Sequence, residues 1–292
     1  MPSNVALRRV GSAAALGVSV AVSIAVTLAA PVSGQERPQG WAVRERLERP
    51  EIPLYNTVKQ KLLDGGQVYT FTIATPDPDL YCEVAPHYDY IFFEMQHSTL
   101  SWADVERMIA ACPRVGVPMV RLPDVLEGSI QKAVDIGALG VIGPTINTVE
   151  QATALASFAR YPPEGLRSAG RNQAGGIWGV DGVSYRQTFN DNVLVVAQIE
   201  TPVAVENAYR IARVPGIDVL WASNGDLANF SGLASNSPAW HAMFDKVKDA
   251  ALSAGIFIGS TAYTYTNGRA DAADWRFFYD GPSFDGYQRV RR

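Results

Sequence analysis

Charge is scarce in this sequence: 18% of its 292 residues are Asp, Glu, Lys or Arg, and the formal net charge is −4. No basic stripe of the kind that nucleic acid or an anionic membrane surface attracts can be drawn on it, which points to a small-molecule partner. Cysteine is scarcer, with Cys82 and Cys112 alone. Neither lies in a CxxC or other zinc spacing, leaving two buried free thiols or one bridge between neighbouring helices. The first strand is followed by no GxGxxG. The glycine-rich NQAGGIWGVDG, residues 172–182, lacks the Lys-Ser/Thr of a P-loop and reads as a mobile loop of lid type.

Long apolar runs are confined to the amino terminus. Arg8 and Arg9 precede an uncharged stretch from Val10 to Ala30, followed by the small residues Val32-Ser33-Gly34. This is the pattern of a secretory signal, residues 1–34, and it predicts an exported, periplasmic or secreted protein with no membrane contact after cleavage. The alternative is an uncleaved membrane anchor, since about 20 apolar residues also span a bilayer. Residues 35–53 read as a polar tether.

From residue 54 to 292 a single domain is expected, well within the size of one core. Short apolar runs at 67–74, 88–95, 118–122, 139–143, 193–199, 218–222 and 256–260 alternate with amphipathic stretches. Helix starts are expected at Ser101 with Asp104, at Asn147 with Glu150, and at Thr201-Pro202. Such alternation predicts a parallel sheet with helical crossovers. With an eighth short strand placed at 167–170, the reading is an α/β fold, a closed (β/α)8 TIM barrel.

Active sites of such barrels form at the carboxyl ends of the strands. The polar residues there are Glu94 and His97, Arg121, Gln198 and Glu200, and Asp226. The two acids Glu200 and Asp226 can hold one hard divalent cation, with water or substrate oxygens completing its shell. The five lysines, Lys59, Lys61, Lys132, Lys246 and Lys248, sit in helical or pre-strand stretches, so none is placed for an imine. A metal is then the group to polarise a carbonyl, with Arg121 as a second positive charge and His97 as proton carrier.

The motifs YDYIFFEMQHS, PMVRLP, KAVDIGALGVIGPTINTVEQA, RYPPEGLRS, VVAQIET and VPGIDVLWASNGDL span roughly residues 55 to 260. In that order they resemble the metal-dependent (class II) pyruvate aldolases of the 4-hydroxy-2-oxoheptanedioate and 2-dehydro-3-deoxyglucarate type, in the aldolase/citrate lyase superfamily. The resemblance implies a barrel of the phosphoenolpyruvate/pyruvate type and reversible cleavage of a 4-hydroxy-2-oxo acid to pyruvate and an aldehyde. It implies Mg2+, Mn2+ or Co2+ on Glu200 and Asp226, Gln198 in the substrate pocket, and Arg121 at the keto or enolate oxygen. His97 matches the acid/base, and the amides of Gly225 and Asp226 match the carboxylate site. Asp135 matches an acid that supports the histidine from a neighbouring subunit of a trimer or hexamer. Two rival functions share the scaffold: cleavage of a citryl or acyl-CoA substrate, for which Arg167 and Arg171 stand near the mouth, and an exported binding protein without turnover. The sequence departs from the family pattern at Glu94, where Asp is usual, at Ser223-Asn224-Gly225, where Gly-Pro-Ala is usual, and in its tail.

Overall fold

The computed structural model describes residues 40–170, 174–261, 263–266 and 268–289. The expected signal segment lies outside these residues, as does Arg171. Helices α1 (Trp41–Glu48) and α2 (Thr57–Leu63) precede a regular alternation of strand and helix. It runs β1 (Thr70–Ile73), α3 (Pro78–Val84), β2 (Tyr90–Glu94), α4 (Trp102–Ala111), β3 (Val117–Arg121), α5 (Glu127–Asp135), β4 (Gly140–Gly143) and α6 (Val149–Ala159). After α7 (Gly175–Trp178) and α8 (Gly182–Asn192) come β5 (Leu194–Ile199), α9 (Pro202–Ile211), β6 (Val219–Ala222), α10 (Asn224–Ser231) and α11 (Pro238–Ala254). The last elements are β7 (Phe257–Ser260), α12 (Tyr263–Thr266) and β8 (Trp275–Phe278).

All eight strands are parallel and lie in chain order, β1 to β8. A further parallel bridge joins Val68, just ahead of β1, to Phe277 on β8. This is a TIM-like α/β fold. Seven of the expected strands fall within a residue or three of their predicted ends, because all but the half-buried β1 are apolar runs buried along most of their length. The eighth is a correction. Residues 167–170 form no strand, and the last place in the sheet is taken by WRFF in the tail, whose Trp275, Phe277 and Phe278 are buried.

Other local expectations shift as well. Ser101 and Asp104 form a reciprocal capping box on α4, and Thr201 caps α9 ahead of Pro202. The cap of α6 lies one residue later than expected, in Thr148 with Gln151. The presumed tether carries α1, whose Ala42 and Glu45 are buried, with Glu45 3.5 Å from the buried Lys59 Nζ. Within the presumed lid, α7 packs inward: Trp178 is buried and its Nε1 donates to Gly137 O at 3.0 Å. Cys82 on α3 and Cys112 at the end of α4 are joined as a disulfide.

Inside the sheet, Phe92, Trp221 and Tyr279 meet, with Tyr279 edge-on to Phe92 at 4.9 Å and 5.8 Å from Trp221. Gly259 on β7 makes room for them. A Cβ there would lie 2.5 Å from Phe277 O and 2.8 Å from Trp221 Cδ1, closer than side-chain carbons approach.

Candidate active site

In a parallel sheet every strand's carboxyl end lies on the same side, so side chains set there share one mouth. Glu94 ends β2 and Arg121 ends β3, and the two are partners in register. Arg121 Nη2 donates to Glu94 Oε2 as a buried ion pair. The other oxygen of Glu94 accepts the backbone N–H groups of Gln96 at 2.8 Å and His97 at 3.0 Å. Glu94 therefore shapes the loop that carries His97 and does not hold its ring. The imidazole is exposed and has no hydrogen-bond partner among the described residues.

Arg121 lies over the Phe92 ring, 5.5 Å from its centroid, and its Nε is buried without a partner. Gln198, fully buried, stands in register with Trp221 on the next strand. Its Nε2 donates to Glu200 Oε2 at 2.6 Å, leaving Gln198 Oε1 unpartnered, like Trp221 Nε1 beside it. Buried polar atoms without a protein partner at strand ends, here Arg121 Nε, Gln198 Oε1 and Trp221 Nε1, are available to a polar ligand.

Glu200 is 2% exposed and follows β5 directly. Its Oε1 accepts both the N–H of Thr145 at 2.7 Å and the Thr145 hydroxyl at 2.5 Å. Burial pushes the Glu200 carboxyl up to about 6, the Thr145 bonds oppose this, and the adjoining Asp226 carboxyl adds to it. The two acids thus lie side by side. Asp226 is held by Ser223 Oγ, which donates to its Oδ2 at 2.7 Å. Among the described residues no cluster of three or more His, Cys, Asp or Glu side chains is arranged to hold a metal. Two carboxylates still suit a hard divalent cation that keeps water or substrate oxygens on its remaining positions. Glu200 is raised chiefly by burial and additionally by Asp226, and a cation between the two carboxylates would offset both effects.

Gly225 and Asp226 lie in the first turn of α10, and the side chain of its cap Ser223 accepts none of the helix N–H groups. Amides in that position have no partner within the helix and face an anion with the positive end of its dipole. Asn224 is tied to β7 instead: its N–H donates to Thr261 Oγ1 at 2.9 Å, and its Oδ1 accepts from Ser260 Oγ at 3.0 Å.

Arg167, expected near the mouth, does not reach it. Asp135 ends α5, the helix that runs back from the mouth after β3, and within the chain it takes Arg167 Nη2 at 2.7 Å. Arg167, buried over Tyr161 and Phe189, is committed to that pair and is not a mouth cation. Lys59, though buried, donates to Val193 O at the foot of β5, so no lysine enters the chamber from there. A groove of about 890 Å3 lined by Arg49, Tyr161, Arg167 and Arg186 contains none of the mouth residues. Lacking their chemistry, it is not the site.

Two residues at the mouth escaped sequence reasoning. Tyr279, one residue beyond β8, packs against Phe92 and Trp221 and was hidden by the misplaced eighth strand. Thr145, two residues beyond β4, has φ 50°, a conformation costing a β-branched residue roughly 1–3 kcal/mol. The rule that found Glu200, a polar residue just past a strand end, applies equally to Thr145.

Comparison with known proteins agrees with this geometry. Residues 79–290 match the family model of HpcH/HpaI aldolase/citrate lyase, so the likeness extends through the tail. A 4-hydroxy-2-oxovalerate aldolase of Novosphingobium aromaticivorans is 33% identical over 211 residues, 71% of this chain and 79% of that protein. A 2-keto-3-deoxy-L-rhamnonate aldolase of Salmonella gallinarum is 29% identical over 188 residues, covering 63% and 70%. Among solved structures, an HpcH/HpaI aldolase/citrate lyase family protein from Burkholderia cenocepacia superposes with a TM-score of 0.69 at 27% identity, over 77% of this chain and 92% of that one. With the family model spanning most of its length and two facing carboxylates at its mouth, the chain belongs to the HpcH/HpaI aldolase/citrate lyase family.

Proposed function

We propose that the protein is a carbon-carbon lyase that reversibly cleaves a 4-hydroxy-2-oxo acid to pyruvate and an aldehyde. The observation that carries this is the meeting of Glu200 and Asp226 beside unpaired donors at one strand-end mouth. A divalent cation on these two carboxylates would act as a Lewis acid toward the 2-oxo group.

The chain's own groups account for the rest. The amides of Gly225 and Asp226 receive the substrate carboxylate at the start of α10. His97 takes the proton of the 4-hydroxyl; the C3–C4 bond breaks, its electron pair passing into the C2–C3 enolate as the aldehyde departs. Arg121 stabilises the developing negative oxygen, an effect that gains strength in a buried chamber. Protonation at C3 then gives pyruvate. In the reverse direction His97 returns the proton to the new hydroxyl, a role commonly worth ~10²–10⁴-fold.

Supporting a closed (β/α)8 barrel is the Val68 to Phe277 bridge between the two outer strands. A citryl or acyl-CoA substrate is less well served, because Arg167 is engaged by Asp135. Export after removal of residues 1–34 is also proposed; the Cys82–Cys112 disulfide fits an oxidising compartment. The test is Glu200→Ala in a lactate dehydrogenase-coupled assay over a panel of 4-hydroxy-2-oxo acids with Mg2+ or Mn2+. Pyruvate release should vanish in the variant while its far-ultraviolet circular dichroism is retained. Unchanged turnover would refute the assignment, and binding of pyruvate without cleavage in the native protein would favour a binding protein instead.

A further inference from the structure

The turn after β4 is stitched to β5 at three successive levels. Ile146 N–H donates to Gln198 O at 3.1 Å, Thr145 gives both its N–H and its hydroxyl to Glu200 Oε1, and Thr201 Oγ1 donates to Asn147 Oδ1. From the opposite side Gln198 Nε2 donates to Glu200 Oε2 at 2.6 Å. Both oxygens of one carboxylate are thus gripped, and the plane of the group is fixed.

The identity of residue 145 is informative. At φ 50° a tight turn alone would be best served by glycine, which keeps the N–H and carries no strain. Threonine adds a hydroxyl, and that hydroxyl goes to Glu200. We infer that Thr145 is a positioning residue, holding the Glu200 carboxylate in the orientation that lets it share a cation with Asp226; the inference rests on the reading of those two acids as cation ligands. Groups that orient a metal ligand from behind commonly control affinity by 10–100-fold (roughly) when removed.

The experiment compares Thr145→Val, Thr145→Gly and Thr145→Ser with the native protein, using calorimetric titration with Mn2+ in the absence of substrate, thermal melting, and the Mn2+ concentration giving half-maximal pyruvate release. Val and Gly should each bind Mn2+ about ten-fold or more weakly. Ser, which restores the hydroxyl, should stay within about two-fold of native. Gly should melt at or above the native temperature, since it relieves the turn, so that weakened binding there cannot be ascribed to lost folding. Should Val fail to fold, Gly and Ser alone decide. Native Mn2+ affinity in both Val and Gly overturns the positioning role, as does a Ser variant as weak as Gly. Absence of Mn2+ uptake by the native protein overturns the earlier reading of Glu200 and Asp226 instead.

Discussion

Replacing Glu200 with Gln isolates the electrostatic cost of the acidic pair. Burial and the neighbouring Asp226 raise the Glu200 carboxyl from its ordinary 4.5 to about 6. A carboxyl whose folded value lies above its unfolded one favours folding fully below the unfolded value, and loses that contribution as pH rises through the folded one. The metal-free native protein therefore gives up roughly 2 kcal/mol between about pH 4.5 and 6, at ~1.36 kcal/mol per pH unit of displacement. Gln carries no charge and escapes this loss. It can keep the Thr145 bonds through its Oε1, and Gln198 can turn its amide so that its free Oε1 accepts from the new Nε2. In EDTA at pH 8, Glu200→Gln should be more stable than native by roughly 2 kcal/mol, or about 4–8 °C in melting temperature for a domain of this size. At pH 4.5 the advantage should be gone. Urea titrations at the two pH values, cross-checked by thermal melts, measure the difference. A variant less stable than native at pH 8, or an advantage independent of pH, would refute the account of Glu200 as a buried acid pressed against a second one.

Two further outcomes are expected. Asp135→Asn leaves the buried Arg167 guanidinium without its counter-charge and should cost about 3–5 kcal/mol in urea. Joint replacement of Cys82 and Cys112 by Ser removes a cross-link spanning 30 residues and should cost roughly 3–4 kcal/mol, a difference that vanishes when the native protein is measured reduced.

The strands and the mouth were legible because both follow from local chemistry. VLVVAQI can only be buried wall, and a carboxylate directly after it must emerge where the wall ends. That logic located Glu200, Asp226, Arg121 and Gln198 without any knowledge of pairing. It failed at WRFF, where an arginine interrupts the apolar run and a turn-rich tail follows, so tertiary pairing with β7 and Val68, not local pattern, makes it a strand. It failed differently at Arg167, because an arginine in a loop reads the same whether it faces solvent, a ligand or a buried carboxylate such as Asp135. Thr145 meets the strand-end rule but was passed over because its hydroxyl carries no charge to single it out, and neither its positive φ nor its bonds to Glu200, 55 positions away, leave a mark in GPTIN.

Because β8 is drawn from residues 275–278, the sheet has two bare edges until residue 278 has been made. A nascent or truncated chain that stops short of Trp275 displays the backbone of β1 and β7 as templates for stray strands, and leaves Phe92 and Trp221 without the ring that covers them. Truncation ahead of Trp275 should therefore yield insoluble material, not a weakened enzyme.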